Sequence, residues 1–300
     1  MLFREKVDLI MKICLIEVPF HLGKERVGMG LGPVTIMQSN LVQDLLDQGH
    51  SLRVEAVRHS GSFESELSAI VKLNQQLKEI IKDAIQDNYF PFILGGNCNT
   101  CLGTLSGLNS ENTGIIWLDA HGDFNTPEIT LTNFLDGMPL AIATGQCYPD
   151  VWSQIAEIEP IDESFVLHIG ERDLDPKERE LMISKNITMI STADLKATSV
   201  KNVLNPPLQT LKNRVKDVYL HIDIDILDPQ EVPGVDYRTP NGLFSTEIKE
   251  IIQVISKVLK IRAVGFTAYN PIRDKNHNTL NVIIDLSTKI TELLSQSKEV

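Results

Sequence analysis

The chain has 300 residues, of which 42% are hydrophobic and 23% are charged, an ordinary globular composition that can bury a large core. Its 40 acidic and 28 basic residues leave a net charge of −12, so nucleic acid and anionic membrane surfaces are not expected partners. Four cysteines are too few for a disulfide scaffold, and charged residues interrupt the first twenty positions, where a signal peptide needs an apolar run. We therefore expect a cytoplasmic protein.

Short apolar runs alternate with longer helical patterns along the whole chain. In chain order, the predicted strands are 12–18, 52–57, 90–94, 114–118, 165–169, 188–190, 218–224 and 263–267. The predicted helices are 32–48, 66–88, 97–108, 176–185, 199–213, 245–259 and 278–296. This alternation favours an α/β fold in which one mostly parallel sheet of about eight strands is covered by helices on both faces, giving three α-β-α layers. With no linker, repeat or low-complexity segment visible, we predict a single domain over residues 1–300.

The segments richest in chemically active side chains all follow predicted strands. They are residues 95–101, 119–128, 170–178 and 223–228. In an open parallel sheet, ligands bind beyond the carboxyl ends of the strands, so we expect these segments to meet at one edge of the sheet.

Two acidic clusters, whose members are spaced two positions apart, lie at the ends of apolar strands: Asp119, His121 and Asp123, and then His221, Asp223 and Asp225. In an extended chain this spacing turns side chains to the same side, so each cluster can converge on one point. Carboxylates held close together repel one another unless a cation lies between them, and carboxylates with an imidazole suit Mn²⁺ or a similar divalent ion. Solvated acids or helix caps would explain one such cluster, whereas two favour a metal site.

These motifs resemble those of the arginase (ureohydrolase) family. The family's D-A-H-x-D motif matches residues 119–123, and its D-x-D-x-x-D-P motif matches residues 223–229. Further matches follow in the family's order at 28–33, 123–127, 172–178, 240–242 and 270–271. The resemblance spans nearly the whole chain, and it implies the arginase-like fold, a small-molecule substrate and a homo-oligomer, either a trimer or a hexamer.

The resemblance also implies two Mn²⁺ ions per chain, bridged by a hydroxide that attacks a guanidinium carbon. Matched by position, Asp119 and Asp223 would contact both ions, and His121 and Asp225 would complete one site. Asp123 would serve the other site and hydrogen-bond the hydroxide, which makes it a predicted catalytic residue as well as a ligand.

Three further positions match family residues that bind an amino-acid-like substrate. Asp175 and Glu178 match acids that recognise the substrate's α-amino group, and Asn125 matches a contact to its carboxylate. Asp175 followed by Pro176 is equally typical of a helix cap, with Glu178 in the first turn. Both interpretations can hold together.

Three positions depart from the family's pattern. Cys98 stands where the family has a metal-binding histidine; as a ligand it would favour Zn²⁺ or Fe²⁺ over Mn²⁺, and the alternative is a buried thiol that binds nothing. Asp136 replaces a histidine thought to shuttle protons, and it can act as an acid or base if burial raises its pKa, or can simply be a turn residue. Ala268 replaces a glutamate that pairs with guanidinium, which makes arginine a doubtful substrate unless Glu128 or Asp136 supplies a carboxylate.

Two other features leave alternatives open. His221 is either a packed strand histidine, which we favour, or a partner of the ligands, or an extra ligand. Cys98 and Cys101 form a C-x-x-C at a predicted helix start, where a thiolate pKa can fall, but nothing else in the chain supports a redox role.

The sequence therefore predicts a metal-dependent hydrolase of linear C–N bonds in an amidine- or guanidine-type, amino-acid-like substrate, with Asp136 or a second acid moving the proton. The alternative is a diverged, non-catalytic member of the family that binds metal or an amino-acid-like ligand.

Overall fold

An eight-stranded parallel sheet forms the centre of the fold in a computed structural model that describes residues 10–296. The strands in chain order are β1 (Lys12–Val18), β2 (Phe20–His21), β3 (Lys24–Glu25), β4 (Ser51–Ala56), β5 (Phe90–Gly95), β6 (Thr113–Leu118), β7 (Val166–Ile169), β8 (Thr188–Ile190), β9 (Asp217–Asp223) and β10 (Ile261–Thr267). The sheet order is β4-β1-β5-β10-β9-β6-β7-β8, and every adjacent pair is parallel. The predicted sheet is therefore confirmed. The short antiparallel β2–β3 hairpin was not predicted.

Helices cover both faces of this sheet. They are α1 (Leu31–Met37), α2 (Leu41–Asp47), α3 (Glu66–Gln86), α4 (Thr100–Leu108), α5 (Pro139–Ala143), α6 (Pro149–Ile155), α7 (Pro176–Ser184), α8 (Thr192–Ala197), α9 (Val200–Lys212), α10 (Ser245–Val258) and α11 (Asn278–Gln296). One apolar core joins α1, α2 and α8 to α11 to the sheet, and a second core joins α3 to α7 to the opposite face. The three predicted layers are confirmed.

The predicted helix over 32–48 is wrong as a single element. The structure has α1 and α2 there, separated by residues 38–40. Ser39 provides the reason, because its hydroxyl donates to the carbonyl of Ile36 at 2.6 Å and accepts from the backbone N–H of Leu41 at 3.2 Å. A serine that satisfies backbone groups in this way competes with the continuous helical hydrogen-bond ladder.

Three short helices, α5, α6 and α8, were not predicted. Each has seven residues or fewer, too few for an apolar periodicity to be read from the sequence. No helix within residues 10–296 combines the length and the apolar character that a membrane span requires.

The sheet order places the four chemically richest strand ends side by side. The neighbouring central strands β5, β10, β9 and β6 lead into the segments that contain Cys98, Ala268, Asp223 and Asp119, respectively. Because all four strands are parallel, their carboxyl ends share one edge. The fold thus brings together residues that lie up to 170 positions apart in the chain. That a single domain spans 1–300 stays a prediction.

Candidate metal centre and substrate cleft

Asp119, His121 and Asp225 form a compact set at the ends of β6 and β9. One atom from each side chain, a carboxylate oxygen or a ring nitrogen, lies within 4.8 Å of the other two. The His121 Nδ1 atom is 3.1 Å from an Asp225 oxygen and 3.5 Å from an Asp119 oxygen. Both carboxyl groups are buried, and the imidazole is half-buried. A divalent cation bound between these three side chains would supply the positive charge that a protonated His121 otherwise supplies.

Turns, rather than the strand alternation expected from sequence, produce this convergence. β6 ends at Leu118, and β9 ends at Asp223. Asp225 lies in a 3-10 turn over Ile224–Ile226, where its backbone N–H donates to Asp223 Oδ1 at 2.8 Å. The backbone N–H of His121 donates to Asp119 Oδ1 at 2.7 Å in the same manner. The carboxylates therefore hold the turns that aim the neighbouring side chains.

Asp123 and Asp223 line the same cleft as His121 and Asp225 of this set. Asp123 has a left-handed backbone (φ 49°), and its buried Oδ2 has no hydrogen-bond partner among the described residues. The other acid, Asp223, accepts a hydrogen bond from the Cys98 thiol at 3.0 Å. Four of the five residues that we assigned to metal binding in the two predicted clusters thus line one cleft, and the fifth, Asp119, lies beside His121 and Asp225. Their roles as ligands stay predictions.

The charges of the cluster are unbalanced. Burial raises the pKa of Asp119, Asp123 and Asp223, and the neighbouring carboxylates raise it further. Burial also works against a charged His121 and a charged Asp225, but their mutual attraction prevails, raising the pKa of the imidazole and lowering that of the carboxyl. Several buried carboxyl groups therefore lie near the positive charge of one histidine, His121. Divalent cations would supply the missing positive charge, and a set of carboxylates with an imidazole suits such ions.

Arg172 stabilises the backbone around the site through several hydrogen bonds. Its guanidinium donates to the carbonyls of Asp225 at 2.8 Å, Ile226 at 3.1 Å and Thr239 at 2.9 Å. One side chain from the segment after β7 thereby links the loop after β9 to the loop that contains Thr239. The arginine in the family-like segment 172–178 consequently has a structural role in the site.

Cys98 and Cys101 do not have the activated thiolates that a helix start can produce. Both are buried, and burial with nearby carboxylates raises the pKa of both thiols. The lowered thiolate pKa that a C-x-x-C at a helix start can have is therefore not found here. Burial, with the strand-end carboxylates as the second cause, outweighs the local helix geometry. Cys98 nonetheless borders the cleft, whereas Cys101 is packed in the core beneath α3.

Asp136 lies in a 3-10 turn over Leu135–Gly137 and borders the cleft next to Cys98, whose backbone N–H hydrogen-bonds to it. Its Oδ1 accepts hydrogen bonds from the backbone N–H of Asn99 at 3.3 Å and from its side-chain amide at 3.0 Å. Burial raises the pKa of Asp136 to about 7, although the Asn99 and Cys98 backbone N–H groups act in the opposite direction. A carboxyl group with this pKa can both give and accept a proton near neutral pH.

Asn125, Asp175 and Glu178 form one wall of the cleft. The Asn125 amide donates to Asp175 Oδ2 at 3.2 Å. Glu178 accepts from the backbone N–H of Phe124 at 2.9 Å and from that of Asp175 at 3.3 Å, so it also caps α7. Burial raises its pKa to about 7. The capping and the ligand-facing interpretations therefore coexist in the structure.

The cleft has a volume of about 240 Å³, below the roughly 300–1,000 Å³ of drug-sized pockets and suited to one small metabolite. Sequence analysis missed several of its lining residues: Met29, Thr132, Phe134, Asp173 and Tyr237. Tyr237 and Phe134 come from separate loops, and their ring centroids are 5.5 Å apart at the rim. Segment 172–178 pointed to Asp173, but no sequence signal marks Tyr237.

The positions of Ala268 and Glu128 bear on which residue could supply a carboxylate in place of the family's glutamate. Ala268 lies in the cleft wall with a left-handed backbone (φ 65°) and offers only a methyl group. Glu128 is exposed and lies outside the cleft, so its position does not support the alternative in which it supplies this carboxylate. Asp136 does border the cleft and remains the candidate.

A family model described as the arginase family matches residues 11–291. The chain belongs to the arginase family. It is 31% identical to an arginase of Staphylococcus aureus (strain COL) over 290 residues, which cover 91% of this chain and 95% of the relative. It is also 31% identical to an arginase of Bacillus caldovelox over 287 residues, covering 91% and 96%.

Solved structures agree with this membership. The arginase of Bacillus subtilis superimposes with a TM-score of 0.86 at 27% identity, covering 94% of this chain and 98% of the other. The agmatine ureohydrolase of Thermoplasma volcanium has a TM-score of 0.71 at 17% identity, covering 99% and 94%, and shows the fold alone. The arginase family comprises metal-dependent amidinohydrolases with a binuclear metal centre, typically of Mn²⁺.

Proposed function

We propose that this chain is a metal-dependent hydrolase of a linear C–N bond in a small amidine-type substrate with an amino-acid-like end. One observation carries the proposal: His121 and Asp225, which form one set of potential metal ligands with the buried Asp119, border the same cleft as Asp136 and the wall formed by Asn125 and Glu178. The same cleft is thus bordered by a cation site, a proton-carrying carboxyl group and a polar wall for a ligand, so one small molecule could contact all three.

The acids and His121 would hold two divalent ions, which we expect to be Mn²⁺ at the oxygen-rich set. Asp119, Asp123 and Asp223 are buried with raised pKa values, and Asp123 has an unpartnered oxygen, so a cation would stabilise all three. When bound, such ions supply Lewis acidity and lower the pKa of water near the substrate carbon.

Asp136 would carry the proton. Its pKa of about 7 leaves it partly protonated at neutral pH, so it can accept a proton from the attacking water and deliver one to the leaving amine. Asn99 fixes the carboxyl group through two donors to one oxygen, which limits its rotation. The replacement of the family's histidine therefore preserves an ionisable group of suitable pKa.

The substrate's two ends would meet different surroundings. Asn125, Asp175 and Glu178 offer acceptors and an amide to an α-amino and α-carboxylate end. At the reacting end, Ala268 provides no carboxylate, and leaving a buried guanidinium without its partner costs about 3–5 kcal/mol. We therefore expect substrates whose reacting group is smaller or less basic than guanidinium, such as a formimidoyl or acetimidoyl group.

A product-release screen tests the proposal. Metal-loaded protein would be incubated with matched sets of amidino, guanidino and ureido amino acids, and ammonia, formamide and urea would be measured. We expect turnover of at least one amidino compound and weak or no turnover of arginine, with Asp136→Asn as the inactive reference. If the metal-loaded protein hydrolyses no compound while its ions are bound, the proposed activity is wrong.

Assembly and compartment complete the proposal. We expect a homo-oligomer, a trimer or a hexamer, in the cytoplasm. Light scattering coupled to size exclusion tests the first expectation, and a single-chain mass would contradict it.

A further inference from the structure

A second donor set lies behind the first and shares Asp119 with it. One ligand-capable atom from each of Cys98, Asp119 and His221 lies within 4.8 Å of the other two. All three residues are buried, with no more than 2% of any of them exposed. This set differs in chemistry from the set of Asp119, His121 and Asp225, because it contains a sulfur.

Thr267 shows which nitrogen of His221 faces the thiol. The Thr267 hydroxyl is 3.1 Å from Cys98 Sγ and 3.3 Å from His221 Nε2. The Nε2 atom is therefore the one on the side of the thiol, and its contact with the hydroxyl is long for a hydrogen bond to nitrogen. Nothing in the described residues holds this nitrogen more tightly.

The opposite nitrogen of the ring is firmly held. His221 Nδ1 is 2.9 Å from the hydroxyl of Tyr219, a buried group from the same strand. An imidazole that binds a metal through one nitrogen usually donates its other N–H to a fixed acceptor, which sets the tautomer. Tyr219 is placed to accept such a bond, leaving Nε2 with its lone pair free for a ligand.

Trp117 fixes both the imidazole and the shared carboxylate. Its ring stacks on His221 with centroids 3.6 Å apart and an interplanar angle of 11°. Its indole N–H donates to Asp119 Oδ2 at 3.0 Å. One side chain therefore sets the positions of two of the three donors before any ion arrives.

The geometry points to Cys98, Asp119 and His221 as a site for a thiophilic divalent ion such as Zn²⁺, beside an oxygen-rich site for Mn²⁺ at Asp119, His121 and Asp225. Asp223 Oδ2, 3.0 Å from Cys98 Sγ, is a fourth donor within reach. Binding would replace the thiol proton by the ion and release that proton to solvent. The inference rests on the metal centre of the proposed function, but it does not require that the protein hydrolyse anything.

Ligand chemistry supports two different ions. Zinc accepts sulfur at about 2.3 Å and imidazole nitrogen at about 2.0 Å, usually with four tetrahedral ligands, whereas Mn²⁺ prefers oxygen-rich sites. The donor atoms of the second set lie within 4.8 Å of one another, and small side-chain rotations would adjust them to zinc's distances. Asp119 would contact both ions and would couple their binding.

X-ray absorption at the zinc edge tests the inference on the full chain. Metal-free protein would receive one equivalent of Zn²⁺ in the presence of excess Mn²⁺, with metal content measured on the same sample. We expect one zinc and one manganese per chain, and a zinc shell with one sulfur and one imidazole. A zinc shell without sulfur would overturn the inference.

Variants separate the contributions of the two side chains. Cys98→Ser should remove sulfur from the zinc shell and weaken zinc binding, while the matched control Cys101→Ser, three residues further along the chain in α4, should change neither. His221→Gln should remove the imidazole signal and retain the sulfur. An imidazole signal that persists in this variant would show that His221 only packs against Trp117, which contradicts the inference.

Hydrolysis by a protein loaded with Mn²⁺ alone keeps the two proposals distinguishable. Activity combined with an oxygen-only zinc shell would leave the proposed function intact and reject the thiophilic site. A sulfur–imidazole zinc shell combined with no turnover in the screen would do the reverse. Absence of any bound ion would reject both.

Discussion

The four central strands end in two different kinds of chemistry. After β6 and β9, the chain places Asp119, His121 and Asp225 close enough together to hold a metal ion. After β5 and β10, it places Cys98 and Ala268, two cleft positions at which the sequence predicts a departure from the family's pattern. One half of the strand-end edge therefore offers oxygen and nitrogen donors, and the other half offers a thiol and a methyl group. In line with the predicted matches, we call the first the preserved half and the second the changed half.

The two halves differ in how their side chains contact the backbone. Asp119 accepts a hydrogen bond from the backbone N–H of His121 in its own turn, and Asp225 accepts one from that of Ala120 in the same turn after β6, so replacing either acid would disturb both this turn and the charge balance. Cys98 and Ala268 have no such backbone role in the described residues: their side chains fill the wall of the cleft. We therefore expect substitutions on this side to alter the preferred ion or substrate while the sheet and the turns stay in place.

The largest expected effect comes from the preserved half. Either Asp119→Ala or Asp223→Ala should abolish binding of both ions and reduce hydrolysis by about 10³-fold or more, because several kcal/mol of charge stabilisation are lost. Metal analysis and the product assay measure this. The control is Asp173→Ala, at an acid that borders the same cleft but is mostly exposed. Unchanged metal content in both first variants would contradict the assignment of these acids as shared ligands.

Asp136→Asn should reduce kcat by about 10²- to 10⁴-fold, the usual contribution of a general acid or base, while metal content stays constant. The amide can still accept the two hydrogen bonds from Asn99, so the turn should survive. The limb of the pH profile near 7 should vanish in this variant. Asp136→His, which restores the family's residue, should recover activity; full activity in the Asn variant would exclude Asp136 as the proton carrier.

On the changed half, Ala268→Glu should raise selectivity for guanidinium over a neutral ureido analogue by about 10²-fold or more, in line with the 3–5 kcal/mol of a buried charge partner. The backbone at 268 already has φ 65°, so glutamate adds no new type of backbone strain. Ala268→Gln is the matched uncharged control. Equal selectivity ratios in the two variants would show that this wall does not face the reacting group.

The raised pKa of Glu178 predicts that the free energy of unfolding depends on pH. Its pKa of about 7 in the folded state exceeds the roughly 4.3 of an unfolded glutamate, so the folded state binds this proton more tightly. Its contribution is therefore greatest at low pH and is lost as the pH rises through 7. In chelator-treated protein, the free energy of unfolding of Glu178→Gln, measured by urea unfolding, should rise by about 2 kcal/mol relative to that of the wild type between pH 5 and pH 8. A difference that stays constant with pH would contradict the raised pKa.

The smallest effect is expected at Glu128, which sequence analysis offered as a substitute carboxylate. Because the side chain is exposed and outside the cleft, Glu128→Gln should leave both the midpoint of urea unfolding and substrate selectivity unchanged. A change in selectivity would mean that the loop over 126–132 closes onto the cleft during turnover.

Most of the fold could be predicted because its strands are buried on both faces and read as continuous apolar runs. The break between α1 and α2 could not, since it depends on two hydrogen bonds of the single side chain of Ser39. The helices α5 and α6 are too short to show a period. Tertiary packing, which the sequence does not display, stabilises them.

The candidate site was predictable to the extent that its chemistry is local. Asp119, His121 and Asp123 lie within five positions, so their proximity could be inferred, although turns rather than strand alternation bring them together. The surroundings of His221 could not be inferred, because its neighbours Trp117, Thr267 and Cys98 come from three other strand regions. A histidine that seemed mainly a packing residue in sequence thereby became a candidate ligand.

Anomalous diffraction from crystals grown with both Mn²⁺ and Zn²⁺, recorded at each metal's absorption edge, tests the central claim most directly. The account predicts a manganese peak among the side chains of Asp119, His121 and Asp225, and a separate zinc peak in contact with Cys98 and His221. Crystals in which neither metal lies between the ends of β6 and β9 would contradict the metal centre, and manganese in both positions would contradict the division between the two sets.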